Sequence, residues 1–156
     1  MDRSSGRIAG IDYGTVRIGI ALSDVDRTIA SPYETYTRRG EAADRKRFEQ
    51  LAKEEQLARF VVGLPVHLDG RESQKSVEAR QFGQWLAAVT GVEVAYFDER
   101  FTTHDAQLYL ADAQLSKKKR KARLDKLAAQ IMLTAYLEML RTNPQAANEP
   151  LRGLDG

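Results

Sequence analysis

The run Phe60-Val61-Val62-Gly63-Leu64 constrains the fold of this chain more than any other stretch. A strand exposed on one face alternates apolar and polar residues, whereas a run apolar throughout suits a parallel strand buried on both faces. Burial on both faces calls for helices above and below the sheet, and the flanking segments supply them. Glu41 to Leu57 is charged and carries Phe48, Leu51 and Ala52 at helical spacing, while Gln74 to Thr90 sets Val77, Phe82, Trp85, Leu86 and Val89 on one helical stripe. A further strand, Val92 to Phe97, follows Gly91.

Ahead of these units the pattern is different. Arg7 to Asp12 and Arg17 to Leu22 are β-rich runs separated by Tyr13-Gly14-Thr15, a hairpin signal in which Gly14 is expected to supply a positive φ. A third extended run, Thr28 to Thr37, contains Pro32, which suits an edge strand because proline cannot donate to a sheet ladder. Beyond Phe97, helices are expected over about 102–113 and 124–141, with a basic segment between them and Pro144 and Pro150 marking a loose tail. The order β-β-β-α-β-α-β-α-α predicts an α/β fold: a mixed five-stranded sheet, three antiparallel strands and then two parallel ones, flanked by helices. That order is the ribonuclease H-like topology, and it assigns 1–141 to a single domain and 142–156 to a flexible polar tail.

Composition narrows function mainly by exclusion. The 156 residues include no cysteine, so disulfides and thiolate metal sites are ruled out, and two histidines without a paired spacing argue against a transition-metal site. No segment reaches the roughly 18 to 20 apolar residues that a membrane-spanning helix needs, which leads us to expect a cytoplasmic protein with no membrane partner. Net charge is only +2, but its distribution is uneven: Lys117, Lys118, Lys119, Arg120, Lys121 and Arg123 form a nearly continuous basic block. Such a block either contacts polyphosphate or repels itself into a solvated loop.

Three acids fall where the expected sheet would gather them: Asp12 at the end of the first strand, Glu99 just after the last, and Asp125 opening the final helix. Each has a plain structural role available, Asp12 in the turn, Glu99 beside Arg100, and Asp125 at a helix N-terminus. With the first, fourth and fifth strands as parallel neighbours, however, Asp12 and Glu99 share one edge about 9 to 10 Å apart. Ala128 and Ala129 would let the last helix approach and deliver Asp125. Clustered carboxylates raise one another's pKa and call for a cation, and hard oxygen ligands favour Mg²⁺ or Mn²⁺. Such ions turn water into a nucleophile and stabilise the leaving oxygen in displacement at phosphorus. Asp98 is the rival to Glu99, since strand alternation leaves the register open, and Glu99 is preferred for its reach.

Other candidates are weaker. Arg17 and Arg100 are phosphate contacts or surface ion pairs, and Gly63 and Gly70 allow backbone to approach a phosphate. Thr102, Thr103 and Asp105 read as helix caps, while His67 and His104 read as loop or surface groups, His104 a weak candidate near the site.

Four motifs in order, Asp12-Tyr13-Gly14-Thr15-Val16-Arg17-Ile18-Gly19-Ile20-Ala21, Gly63-Leu64-Pro65 with Gly70, Asp98-Glu99-Arg100-Phe101-Thr102-Thr103 and Leu124-Asp125-Lys126-Leu127-Ala128-Ala129, resemble the YqgF/RuvX family across residues 7 to 140. That family is described as Holliday-junction-resolvase-like and as nucleases that mature pre-16S ribosomal RNA. Phe101 stands where it often has Leu. The resemblance implies a ribonuclease H-like nuclease with Asp12, Glu99 and Asp125 on the acidic positions, Mg²⁺ or Mn²⁺ as cofactor, and the lysine run on nucleic acid. Partners implied are structured RNA, above all pre-ribosomal RNA and ribosomal particles, or branched DNA, with monomer and homodimer both open.

Two rival readings are set against it. An actin-like ATPase or sugar kinase shares the Ile11-Asp12-Tyr13-Gly14-Thr15 signal but clamps nucleotide between two such domains. A non-catalytic RNA-binding or ribosome-assembly factor would need the basic segment and leave the acidic trio idle.

Overall fold

The computed structural model describes residues 6–65, 72–99 and 117–144, with the backbone alone over 117–122. Strand β1 (Arg7–Asp12) pairs antiparallel with β2 (Arg17–Ser23), setting Ala9 opposite Leu22 and Asp12 opposite Gly19. The connection does not use the expected positive φ at Gly14, which is absent from the positive-φ glycines Gly6, Gly40 and Gly91. Space is what Gly14 supplies: a Cβ there would collide with the Arg17 carbonyl oxygen.

Strand β3 (Ala30–Thr37) pairs antiparallel with β2 at the sheet edge, and the register shifts between Ile20 and Ala21, next to the pairing of Ala21 with Pro32. The missing proline N–H thus falls at an edge irregularity. Helix α1 (Glu41–Glu54) then returns the chain to β4 (Leu57–Leu64), parallel to β1. The helix stops short of the expected Leu57: Gln56 turns at φ 51, and Leu57 is buried as the first residue of β4. Helix α2 (Gln74–Thr90) is capped by the Ser73 hydroxyl, which accepts from the Ser76 N–H at 3.0 Å, and ends at Gly91 with φ 71. A left-handed residue just past a helix is the position glycine fills at least cost.

Strand β5 (Glu93–Asp98) completes the sheet, parallel to β4, in the order β3-β2-β1-β4-β5. The expected sheet, antiparallel in its first half and parallel in its second, is therefore the observed one. The carboxyl ends of β1, β4 and β5 lie side by side as a consequence.

Strand alternation divides the interior into two cores. Phe60 and Val62 point with Ile11 and Ile20 toward α1 and α2, meeting Phe48, Leu51, Phe82 and Leu86. Val61 points the other way with Ile8 and Phe97, toward Met132, Leu133 and Tyr136 of α3 (Lys117–Thr142). Helix α3 begins seven residues before the expected Leu124, so the basic run is helical rather than a loop. Among the described residues no helix is long and apolar enough to cross a membrane. The helix expected over 102–113 and the tail beyond residue 144 lie outside the described residues.

Candidate active site

Each acid reaches the sheet edge by a different route. Asp12 is the last residue of β1, half-buried. Asp98, the last residue of β5, is buried, and Glu99 follows it. The Glu99 carboxyl lies over Gly63 of β4, where a Cβ would stand 2.5 Å from Oε1. Gly63 lies in β4 between the other two strands, so its missing side chain makes room for Glu99 rather than for a phosphate.

Asp125 arrives through backbone contact. Its carbonyl oxygen packs on Gly19 so closely that a Cβ there would overlap it, and Gly19 is the residue opposite Asp12 in the β1–β2 ladder. One turn further along, Gly10 receives α3 in the same way, with a would-be Cβ 2.9 Å from the Leu133 Cβ and 3.2 Å from the Ala129 carbonyl oxygen. Ala129 is fully buried at this contact, whereas Ala128 is exposed and takes no part in the approach expected of it. Asp125 also lies well inside α3, so the expected position opening the helix is not observed. Helix-forming lysines extend the helix upstream of it.

The charges do not balance locally. The Asp12 carboxyl is pushed up to about 7, by burial first and then by the Glu99 charge, with Asp125 adding and Lys75 opposing. Glu99 is also raised, chiefly by burial, with Asp98 adding to it and Lys75 opposing. Two partly desolvated carboxyls in each other's field cannot both ionise cheaply, so they share a proton or recruit a cation. Asp125 differs: it accepts a hydrogen bond from Arg17 Nε at 3.0 Å, an ion pair in the open cleft, about 400 Å³, formed with Tyr13, Lys75 and Glu78. Among the described residues no three acids are already gathered as a ready metal cage.

Residues 6–139 match the family model described as RuvX, Holliday junction resolvase. The chain belongs to this nuclease family. Relatives named "putative pre-16S rRNA nuclease" include those of Rhodopirellula baltica, 45% identical over 95% of this chain and 86% of the relative, and Lactococcus lactis, 40% identical over 85% and 94%. Among solved structures, Thermus thermophilus RuvC in complex with a Holliday junction substrate superposes with a TM-score of 0.54 at 15% identity, covering 88% of this chain and 96% of that one. RuvC without that substrate gives 0.51 at 16% identity, covering 87% and 96%. The sheet order and the placement of α3 are those of the ribonuclease H-like fold.

For this RuvX chain the structure sets Glu99, Asp125 and Lys75 near enough to Asp12 to act on its charge, and Asp125 and Arg17 line the open cleft. Lys117, Lys118, Lys119, Arg120 and Lys121 form the first turns of α3, upstream of Asp125 on the same helix, and Arg123 is exposed. Arg100, Thr102, Thr103, His104 and Asp105, together with His67 and Gly70, lie outside the described residues. Lys75 was missed in the sequence. It is exposed on α2, and only its place in the first turn of the helix after β4, beside the sheet's carboxyl edge, could have singled it out.

Proposed function

We propose that this chain is a divalent-metal-dependent endonuclease that hydrolyses phosphodiester bonds in structured nucleic acid, with Asp12, Glu99 and Asp125 as its catalytic carboxylates and maturation of the 5′ end of pre-16S ribosomal RNA as its task. The observation that carries this reading is the Asp12–Glu99 pair, two carboxyls at the ends of β1 and β5 on either side of β4, both held from ionising by burial, with Glu99 acting further on Asp12. An all-oxygen donor set with uncompensated negative charge fits Mg²⁺ or Mn²⁺. Asp12, Glu99 and Asp125 would hold the ion, and Asp125 would exchange its bond to Arg17 for it. Bound there, a divalent ion lowers the pKa of water and offsets charge on the leaving oxygen.

The protein's own groups supply the remainder. Asp12 ends β1 and Glu99 directly follows β5, which fixes them more firmly than loops would. Arg17, once Asp125 turns away, presents its guanidinium to a phosphate in the cleft, and Lys75 faces the same space. Arg123 is exposed on α3, and the basic run ahead of it on the same helix supports contact with a nucleic-acid backbone. The names carried by the relatives support pre-16S ribosomal RNA as substrate. The description of the family model favours a second reading, cleavage of four-way DNA junctions.

Cleavage of a labelled ribosomal RNA precursor and a four-way DNA junction, by wild type and Asp12→Asn with Mg²⁺, Mn²⁺ or EDTA, tests both. The expected result is metal-dependent cutting of the RNA that Asp12→Asn loses while retaining binding. Junction cutting in its place would select the second reading, and binding with no cutting would leave an assembly factor.

A further inference from the structure

Beside the acidic cleft lies a second groove, about 560 Å³, that the carboxylate chemistry does not use. The two share Tyr13, Thr15 and Glu78 as common walls. Phe82, nearly fully buried, is its floor; Tyr13 and Trp85, both half-buried, lie against that floor with ring centroids 5.1 and 5.4 Å from it. Core packing explains Phe82, which also meets Phe48 at 5.6 Å. Tyr13 and Trp85 pack against the same core but each leaves part of its ring on the open cavity.

Over these rings stands Arg38, its guanidinium carbon 5.6 Å from the centroids of both Tyr13 and Phe82. The side chain is held from two sides. Arg38 Nη1 donates to the Tyr13 hydroxyl at 3.1 Å, and Nε donates to Asp44 at 3.3 Å. Asp44 is itself buried and accepts from the Tyr36 hydroxyl at 2.6 Å and the Arg39 N–H at 3.0 Å. A cation fixed this way over aromatic faces keeps its planar guanidinium available for stacking. Glu41 and Glu78 add acceptors at the margin.

We propose that this groove is a binding site for one unpaired nucleobase of the RNA strand, the nucleotide next to the phosphate that lies at Asp12. Aromatic faces joined with arginine are how proteins hold unstacked bases, and every base offers a π face to them. The volume lies within the range of about 300 to 1,000 Å³ common for small-molecule sites. Continuity with the acidic cleft through Tyr13 and Thr15 is what ties the base to the cutting site. A base in a continuous duplex is stacked on its neighbours and cannot enter, so the groove makes unpaired sequence at the cut a requirement for tight binding. The inference rests on the nuclease reading above.

Trp85 is the chain's one tryptophan, so its fluorescence reports this groove alone. The full chain in EDTA, where cutting is blocked, is titrated with a labelled RNA duplex carrying a single-stranded overhang and with a blunt duplex of equal phosphate count. Anisotropy of the label follows binding and tryptophan emission follows the groove. The expected result is saturable quenching by the overhang duplex alone, and, by label anisotropy, about tenfold weaker binding of that duplex by Trp85→Leu with the blunt duplex unaffected. Equal quenching by both duplexes, or overhang binding without quenching, overturns the base site and leaves the nuclease reading standing. No binding of either duplex overturns both. The wild-type comparison needs no variant, so it holds even if Trp85→Leu folds poorly.

Discussion

On one face of the sheet, α1 and α2 meet the strands through large side chains, with Phe48 packed edge-on to Phe60 at 6.4 Å and to Phe82 at 5.6 Å. On the other face, α3 comes down until its backbone touches Gly10 and Gly19. A contact between side chains can be repacked by rotamer changes, whereas a contact between backbones has nothing to give. The first face supports the strands. The second also aims a carboxylate, because the contact at Gly19 is what sets Asp125 beside Asp12.

One substitution on each face should show that difference most visibly. Gly19→Ala puts a Cβ into the Asp125 carbonyl, so we expect a loss of about 3 kcal/mol or more in urea unfolding, together with loss of cutting. Leu86→Met on the α2 face conserves volume and should cost less than about 1.5 kcal/mol with cutting retained. Equal costs for the two would remove the distinction between the faces.

The Asp12 carboxyl provides the next largest effect. Its folded-state pKa of about 7 lies above the ordinary 3.8, so the folded chain holds more protons than the unfolded chain between those values. Metal-free stability should therefore fall as pH rises through roughly 4 to 7, and the loss should be complete above that window. Asp12→Asn should flatten the slope and raise metal-free stability at pH 8 by on the order of 2 to 4 kcal/mol, read by thermal unfolding at several pH values. A pH-independent difference between the two proteins would mean that Asp12 carries no suppressed charge.

Gly63→Ala sharpens the contrast by moving a side chain instead of a helix. The new Cβ meets only the end of Glu99, so stability should change by less than about 1 kcal/mol while cutting drops by about 100-fold. Cutting at the wild-type rate would remove Glu99 from the site. Neutralising Lys118, Lys119 and Lys121 together should leave both faces intact and reduce the salt slope of nucleic-acid binding by about 2 to 3. An unchanged slope would separate the basic turns of α3 from the substrate path.

The strands and the helices α1 and α2 were legible because their side chains carry the period of their surroundings. Phe60 to Leu64 is apolar on both faces, and β4 is indeed sandwiched between two cores. The start of α3 was not legible for the converse reason. Lys117 to Lys121 has no apolar residue to show a period, so a charged helix and a solvated loop look alike. Gly14 was read for its dihedral freedom and turned out to matter for its lack of volume, a difference that depends on where Arg17 folds back.

The sequence by itself determined the class of fold, the strand order's change from antiparallel to parallel, and the acids that could meet at the carboxyl edge, since all of these follow from local periodicity and the handedness of crossovers. Tertiary structure alone decided that Glu99 lies over Gly63, that Asp125 is held by Arg17 108 positions away in the chain, that Lys75 faces the acids, and that Tyr13, Arg38 and Trp85 bound one groove. Each of those is a contact between residues distant in sequence. Such contacts depend on how closely two packed elements approach, and that distance is set by the volumes between them, which no local pattern records.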